Sequence, residues 1–179
     1  MSIYLRAFEL DDYILINKWR TDPEIQSLTG GNMNFVSSHR EKMWVEDKIK
    51  NNQQNIYLGI CLSDNNELIG YLSINDIDWR NRKAWWGGLV VGEKEHRNFG
   101  YATDASRLML QYIFNELGLN RFSGYWLTSN IPSIKVAEKL GFKKEGLLKE
   151  SVYKNGKYHD LYLMTILQEE FFNHSSQKS

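Results

Sequence analysis

The chain reads as one α/β domain of the α+β kind, a mixed and mostly antiparallel sheet with helices on its faces. Three observations predict this. Short runs of branched aliphatic and aromatic residues alternate with amphipathic runs at helical spacing. Turn residues punctuate them, above all Asn155-Gly156 between two alternating segments, the strongest short-range hairpin signal. The length of 179 residues gives a core of useful size and leaves no room for a second full domain. The domain is expected over residues 1–170, followed by a polar tail at 171–179.

From the N-terminus, Ile3-Tyr4-Leu5 and Arg6-Ala7-Phe8 form a first strand. Asp11-Asp12 opens a helix bearing Tyr13, Ile14, Ile16 and Trp19, and Asp22-Pro23 ends it, because a residue before proline is pushed out of the helical region. Gly30-Gly31-Asn32 is a loop placed to act as a lid. Ser38 with Glu41 has the capping-box spacing, so a second helix starts there and carries Met43, Trp44, Val45 and Ile49. Residues 56–62 and 67–74 are strands joined by Ser63-Asp64-Asn65-Asn66, and Gly70 marks a bulge. A loop over 76–83 leads into a strand at 84–91. Gly87-Gly88 within it signals disrupted pairing or the close approach of another group. Beyond a central helix that stops at Gly118, residues 121–128 form the next strand. Pro132 suits the first turn of a short helix that Gly141 ends, and 149–154 with 157–167 make the closing hairpin.

Composition narrows the function. Lys plus Arg equals Asp plus Glu at 22 each, so the net charge is zero, which argues against nucleic-acid binding through bulk positive charge. The lone Cys61 excludes an intrachain disulfide and suits a cytoplasmic setting. No apolar run approaches the ~18 residues of a membrane span, and the N-terminus lacks a signal region. His39, His96, His159, His174 and Cys61 never fall at metal-ligand spacing, so no metal is expected. P-loop, Rossmann and nucleophile-elbow motifs are missing, which counts against an NTPase, a dinucleotide oxidoreductase and a serine hydrolase.

The most informative stretch is 89–117. Leu89-Val90-Val91 is a buried strand, while Leu108, Met109, Tyr112, Ile113 and Leu117 form one apolar helical face. Between them, residues 97–102 offer backbone amides at a helix start, with the small Gly100 and Ala102 where a larger side chain would block approach. Free amides and the positive end of the helix dipole make this an anion site for a phosphate or pyrophosphate, with Arg97 adding charge.

Arg97-x-x-Gly100-x-Ala102 resembles the acetyl-coenzyme A signature of the GNAT N-acetyltransferases. Asn130-x-x-Ser133 with Gly141-Phe142 resembles the second GNAT signature, in the same order along the chain. Trp19-Arg20-Thr21-Asp22-Pro23 and Asn155-Gly156-Lys157-Tyr158-His159-Asp160 look like the first helix and closing hairpin of the Rim-type branch, which acetylates protein N-termini and other small amines. The resemblance covers nearly the whole chain. It implies a single GNAT-like domain with a splayed central strand pair, and an acetyl-coenzyme A-dependent N-acetyltransferase working by direct transfer in a ternary complex.

It also implies site residues. The coenzyme would be held by Leu89, Val90, Val91, Arg97, Asn98, Phe99, Gly100, Tyr101, Ala102, Thr103, Asn130 and Lys135. Oxyanion donors would be the amides of Val90 or Val91. Catalysis would fall to Asn130 and to Ser133, because the position of the usual acid tyrosine is Ala137; a helix-capping hydroxyl is the plain alternative for Ser133. Usual base positions are taken by Trp85, Trp86 and Gly87 and by Val152, leaving Asp76, Asp78, or Glu150 if the register differs. Trp19, Trp85, Trp86 and Trp126 could form an aromatic wall that holds a cationic amine or stacks on a sugar. Expected partners are acetyl-coenzyme A and an amine, a peptide N-terminus or a small molecule, with a homodimer as an option and neither nucleic acid nor membrane. Rivals are a polyamine, aminosugar or aminoglycoside acceptor, or a non-catalytic acyl-coenzyme A binding module.

Overall fold

A computed structural model describes residues 2–29, 31 and 34–176. Seven strands form one sheet in the order β1-β2-β3-β4-β5-β7-β6: β1 Ile3–Ala7, β2 Ile56–Leu62, β3 Leu68–Asp78, β4 Lys83–Val91, β5 Arg121–Leu127, β6 Lys143–Lys154 and β7 Lys157–Leu167. Neighbours pair antiparallel except β4 and β5, which are parallel. That parallel step needs a crossover, supplied by α4 (Tyr101–Gln111) and the π-turn Tyr112–Glu116 that continues it.

The sheet buries both faces. On one side α4, α5 (Ile131–Lys139) and α6 (Gln168–Ser176) cover the larger core, centred on Leu72, Ile74, Met109, Ile113, Phe122 and Met164. On the other, α1 (Tyr13–Thr21), α2 (Pro23–Leu28) and α3 (Ser38–Lys50) cover a smaller cluster of Phe8, Ile16, Trp19, Ile25, Val45 and Cys61. Each large apolar side chain buried this way contributes roughly 1.5–3 kcal/mol.

The expected strands and turns are present, with informative differences. Asn155 (φ 50°) and Gly156 (φ 78°) make the left-handed pair that a two-residue hairpin requires. Asp22 does not simply end the first helix. Its carboxylate accepts from the Glu24 amide and Pro23 sits in the first turn, so the same dipeptide starts α2. The cap of α3 is Ser37, accepting from the Arg40 amide, one residue before the predicted Ser38. Glu41 instead turns inward, fully buried, to accept from Arg20 Nη1 at 2.7 Å. Strand β3 runs on to Asp78 and β6 starts as early as Lys143. Residues 168–176 form α6 and not a bare tail, because Phe171 is buried against the core. Gly30 and Asn32 of the expected lid lie outside the described residues.

Candidate active site

Strands β4 and β5 pair only from Lys83 to Trp85, opposite Arg121 to Ser123. Beyond that point they part. The cause is local. Ser73 of β3 faces Gly88 and Ile74 faces Trp86, so Gly87 is an inserted residue that bends β4 away. A Cβ at Gly87 would lie 2.3 Å from Ser73 Oγ and 2.4 Å from Asn75 Nδ2, so a larger residue there would have to push those side chains aside. Trp86 fills the vertex. It packs on Phe122, Trp126 and Phe142, and the missing side chain of Gly124 admits it. Leu89, Val90 and Val91 pair with β3 at Leu72, Tyr71 and Gly70, which leaves their other edge facing the wedge.

At the mouth of the wedge the chain turns into α4. Asn98 (φ 69°) and Gly100 (φ 87°) are both left-handed, and Gly100 is the N-cap. Backbone amides from Asn98 to Ala102 have no hydrogen-bond acceptor among the described residues. A Cβ on Gly100 would meet nothing within 4 Å, so the cradle is open. Unpaired amides converging at a helix start fit a diphosphate, and the wedge beside them fits an extended arm that pairs with the free edge of β4.

Comparison with known proteins agrees. Residues 2–143 match the acetyltransferase (GNAT) domain family. The chain belongs to the GNAT acetyltransferase family. Among its relatives, the N-acetyltransferase p20 of Bacillus licheniformis is 30% identical over 93% of each chain. YdaF of Bacillus subtilis, provisionally named a ribosomal N-acetyltransferase, is 36% identical over 58% of this chain and 56% of its own. The crystal structure of a spermidine N-acetyltransferase from Vibrio cholerae, in complex with coenzyme A and spermine, superposes with a TM-score of 0.87 at 24% identity, covering 96% of this chain and 98% of that one. The protein is an acetyl-coenzyme A-dependent N-acetyltransferase.

The structure of this GNAT enzyme places the expected site residues unevenly. Arg97 does not face the cradle as a free charge. Its guanidinium donates to the carbonyls of Val91 (3.3 Å) and Gly92 (2.8 Å) and to Glu24 Oε1 (2.8 Å), bracing the turn and tying it to α2. Phe99 is exposed and stacks on Tyr101, which is buried; Thr103 donates its amide to Gly100 O at 2.9 Å. Asn130 is the N-cap of α5: Oδ1 accepts from the Ser133 amide at 3.2 Å, and Nδ2 donates to Leu28 O at 2.8 Å. Because Asn130 does the capping, the half-buried Ser133 hydroxyl has no acceptor or donor among the described residues and is available for chemistry. Lys135 is exposed on α5.

The four tryptophans do not gather into one wall. Trp19 is 1% exposed in the smaller core, lies flat on Gly92 and donates Nε1 to Glu93 Oε1 at 3.0 Å. Trp86 and Trp126 belong to the larger core on the opposite face. Trp85, the neighbour of Trp86 in β4, points to the other face of the sheet. It stacks on Tyr125 across the last paired position, with centroids 5.0 Å apart. Its partner on β3, Asn75, has a buried Oδ1 with no hydrogen-bond partner.

The candidate carboxylates separate by place. Asp78 pairs with Lys83 at the closed end of the β3–β4 hairpin. It accepts from the Asn81 side chain and amide, which hold its carboxyl below the usual range. Asp76 is two residues away on the same strand. Glu150 stands at the open end. Between Leu148 and Val152 the β6 register slips, and Glu150 takes φ 50° with its amide on Asp160 Oδ1 at 2.7 Å; the Asp160 carbonyl accepts from Thr128, at the end of β5. Such a bulge was not legible in the sequence, because nothing local marks it. Among the described residues no group of His, Cys, Asp or Glu could hold a metal ion, and no helix is long and apolar enough to cross a membrane.

Proposed function

We propose that the enzyme has Rim-type character and acetylates a primary amine, a protein α-amino group or a small amine, by direct transfer in a ternary complex. The observation that carries this is the free Ser133 hydroxyl in the first turn of α5, the helix that follows β5 where β5 has parted from β4. The amine enters from the face of Trp85 and Tyr125, whose stacked rings suit a cationic group. Glu150 takes the amine's proton, directly or through a water. The nitrogen attacks the thioester carbonyl carbon, and a backbone amide of Val90 or Val91 meets the developing oxyanion. Collapse breaks the carbon–sulfur bond, Ser133 protonates the departing thiolate, and the second proton shed by the nitrogen restores the serine hydroxyl through water. Asn130 fixes the helix that carries Ser133.

A protein α-amine is the acceptor the site suits better than a polyamine. Its pKa near ~8 makes little demand on a base, whereas an alkylamine near ~10.4 demands more. Likeness to spermidine acetyltransferases keeps a polyamine as the second reading. Thiol release from acetyl-coenzyme A, measured with Ser- and Ala-initiated peptides, spermidine and an aminosugar, tests both. Turnover fastest on the peptides supports the first reading, turnover on spermidine the second. Binding of coenzyme A without turnover on any amine would leave a non-catalytic binding module.

A further inference from the structure

Helix α2 touches both sides of the parted strands. At its first turn Glu24 reaches the cradle: Oε1 accepts from Arg97 at 2.8 Å and Oε2 pairs with Lys94 at 2.6 Å. At its last turn the contacts switch to the C-terminal half of the chain. Leu28 O accepts from Asn130 at 2.8 Å. Nζ of Lys154, at the tip of the β6–β7 hairpin, donates to the carbonyls of Gln26, of Thr29 at 2.5 Å and of Gly31 at 3.0 Å. Six helical residues rise about 9 Å, close to two strand spacings of ~4.8 Å. In this way α2 lies from the β4 side of the wedge to the β5 side, on the face of Trp85 and Tyr125.

The Lys154 contact has an unusual chemistry. The residue is 7% exposed, no carboxylate lies within ion-pair distance among the described residues, and its three donors all go to main-chain oxygens. A buried ammonium without a counter-ion is an expensive way to stabilise a fold. Carbonyls at the end of a helix, however, lack partners of their own, and a cation with three donors gathers them into one geometry. Burial also pushes the ammonium below the ordinary lysine value.

We propose that α2 is a strap across the acceptor half of the wedge and that Lys154 is the positioning residue that latches its free end to the hairpin, so that the amine is held between strap and sheet. This rests on the acceptor placement given under Proposed function. With the latch removed, Glu24 still holds the cradle end, so coenzyme affinity is spared while the acceptor end loosens.

The test compares wild type with Lys154→Met and Lys154→Arg in the full chain. Hydrogen exchange of amides 24–29 should quicken at least tenfold in Lys154→Met without added amine, and return most of the way in Lys154→Arg, which keeps charge and donors. The KM for the better acceptor, a Ser-Ala peptide or spermidine, should rise at least tenfold with kcat within threefold and coenzyme A affinity within twofold. Unchanged exchange and unchanged KM would overturn the latch. Equal losses for coenzyme A and acceptor would make Lys154 a merely structural residue, which also overturns it. If Lys154→Met does not fold, Lys154→Gln carries the same comparison. Should wild type acetylate no amine, the acceptor reading fails by itself, while the exchange experiment still decides whether the strap is latched.

Discussion

Ser133 shows how a single side chain is released for chemistry by its neighbour. A serine three residues into a helix start is ordinarily read as a cap, but Asn130 already accepts from the Ser133 amide. The hydroxyl is then left with no competing partner among the described residues. Ser133→Ala should lower kcat about 10²-fold with the KM for acetyl-coenzyme A little changed, as expected for loss of a general acid. The gap should narrow above about pH 8.5, where a thiolate leaves more easily without a proton. Pre-steady-state thiol release across pH checks both; a uniform small loss at every pH would return Ser133 to a structural role. Arg97 makes the reverse point: a residue read from the motif as a phosphate ligand is spent on two carbonyls and Glu24. Spacing reports that an arginine is there, but the direction of its guanidinium depends on α2, seventy-odd residues earlier in the chain.

At the scale of elements, α1 is joined to the turn after β4 by a small assembly. Trp19 lies on Gly92, where a Cβ would come within 2.0 Å of the indole. Its Nε1 and Lys18 both donate to Glu93, and these bonds, the lysine's first, hold the Glu93 carboxyl below its usual range. A folded-state value depressed in this way stabilises the protein above the unfolded carboxylate pKa near ~4.3 and is lost as pH falls through the folded value. Glu93→Gln should therefore lower the thermal midpoint at pH 7 by a few degrees, and the difference from wild type should shrink steadily below about pH 4. Calorimetry from pH 3 to 7 tests this; a constant difference would mean that the charge on Glu93 does not matter. Helix periodicity and the Asp-Asp start made α1 legible from local sequence, and Asn155-Gly156 did the same for the last hairpin. Helix α2 was not, because six residues are too few for a periodic signal and Asp22-Pro23 reads equally as a stop. The slip at Glu150 escaped for a related reason: a bulge is set by what the partner strand needs, here Asp160, and not by the bulged residues alone.

For the molecule as a whole, the coenzyme couples to folding like any ligand of the native state. Binding to the native state alone stabilises by mass action, about 2.7 kcal/mol at a ligand concentration one hundred times Kd. Coenzyme A should raise the melting temperature of wild type accordingly, and Gly100→Glu should abolish that rise. The glutamate would enter the space the amides leave open, strain a backbone at φ 87° and place negative charge where phosphate belongs. Thermal shift with and without coenzyme A decides it, and an undiminished rise in the variant would place the diphosphate elsewhere.

By itself the sequence determined the succession of strands and of the longer helices, the amide cradle at residues 97–102, the bend at Gly87-Gly88 and the Asn130-Ser133 pair. Each of these is written in residues close together, through periodicity, glycine freedom or a cap. Only the tertiary structure decided that Trp19 is core, that Arg97 braces the turn, that Glu150 sits in a register slip of β6, and that α2 is tied to Arg97 at one end and to Asn130 and Lys154 at the other. Those outcomes depend on which atoms distant stretches bring to the same place, and such distances are fixed by packing across the sheet, where local propensity has no say.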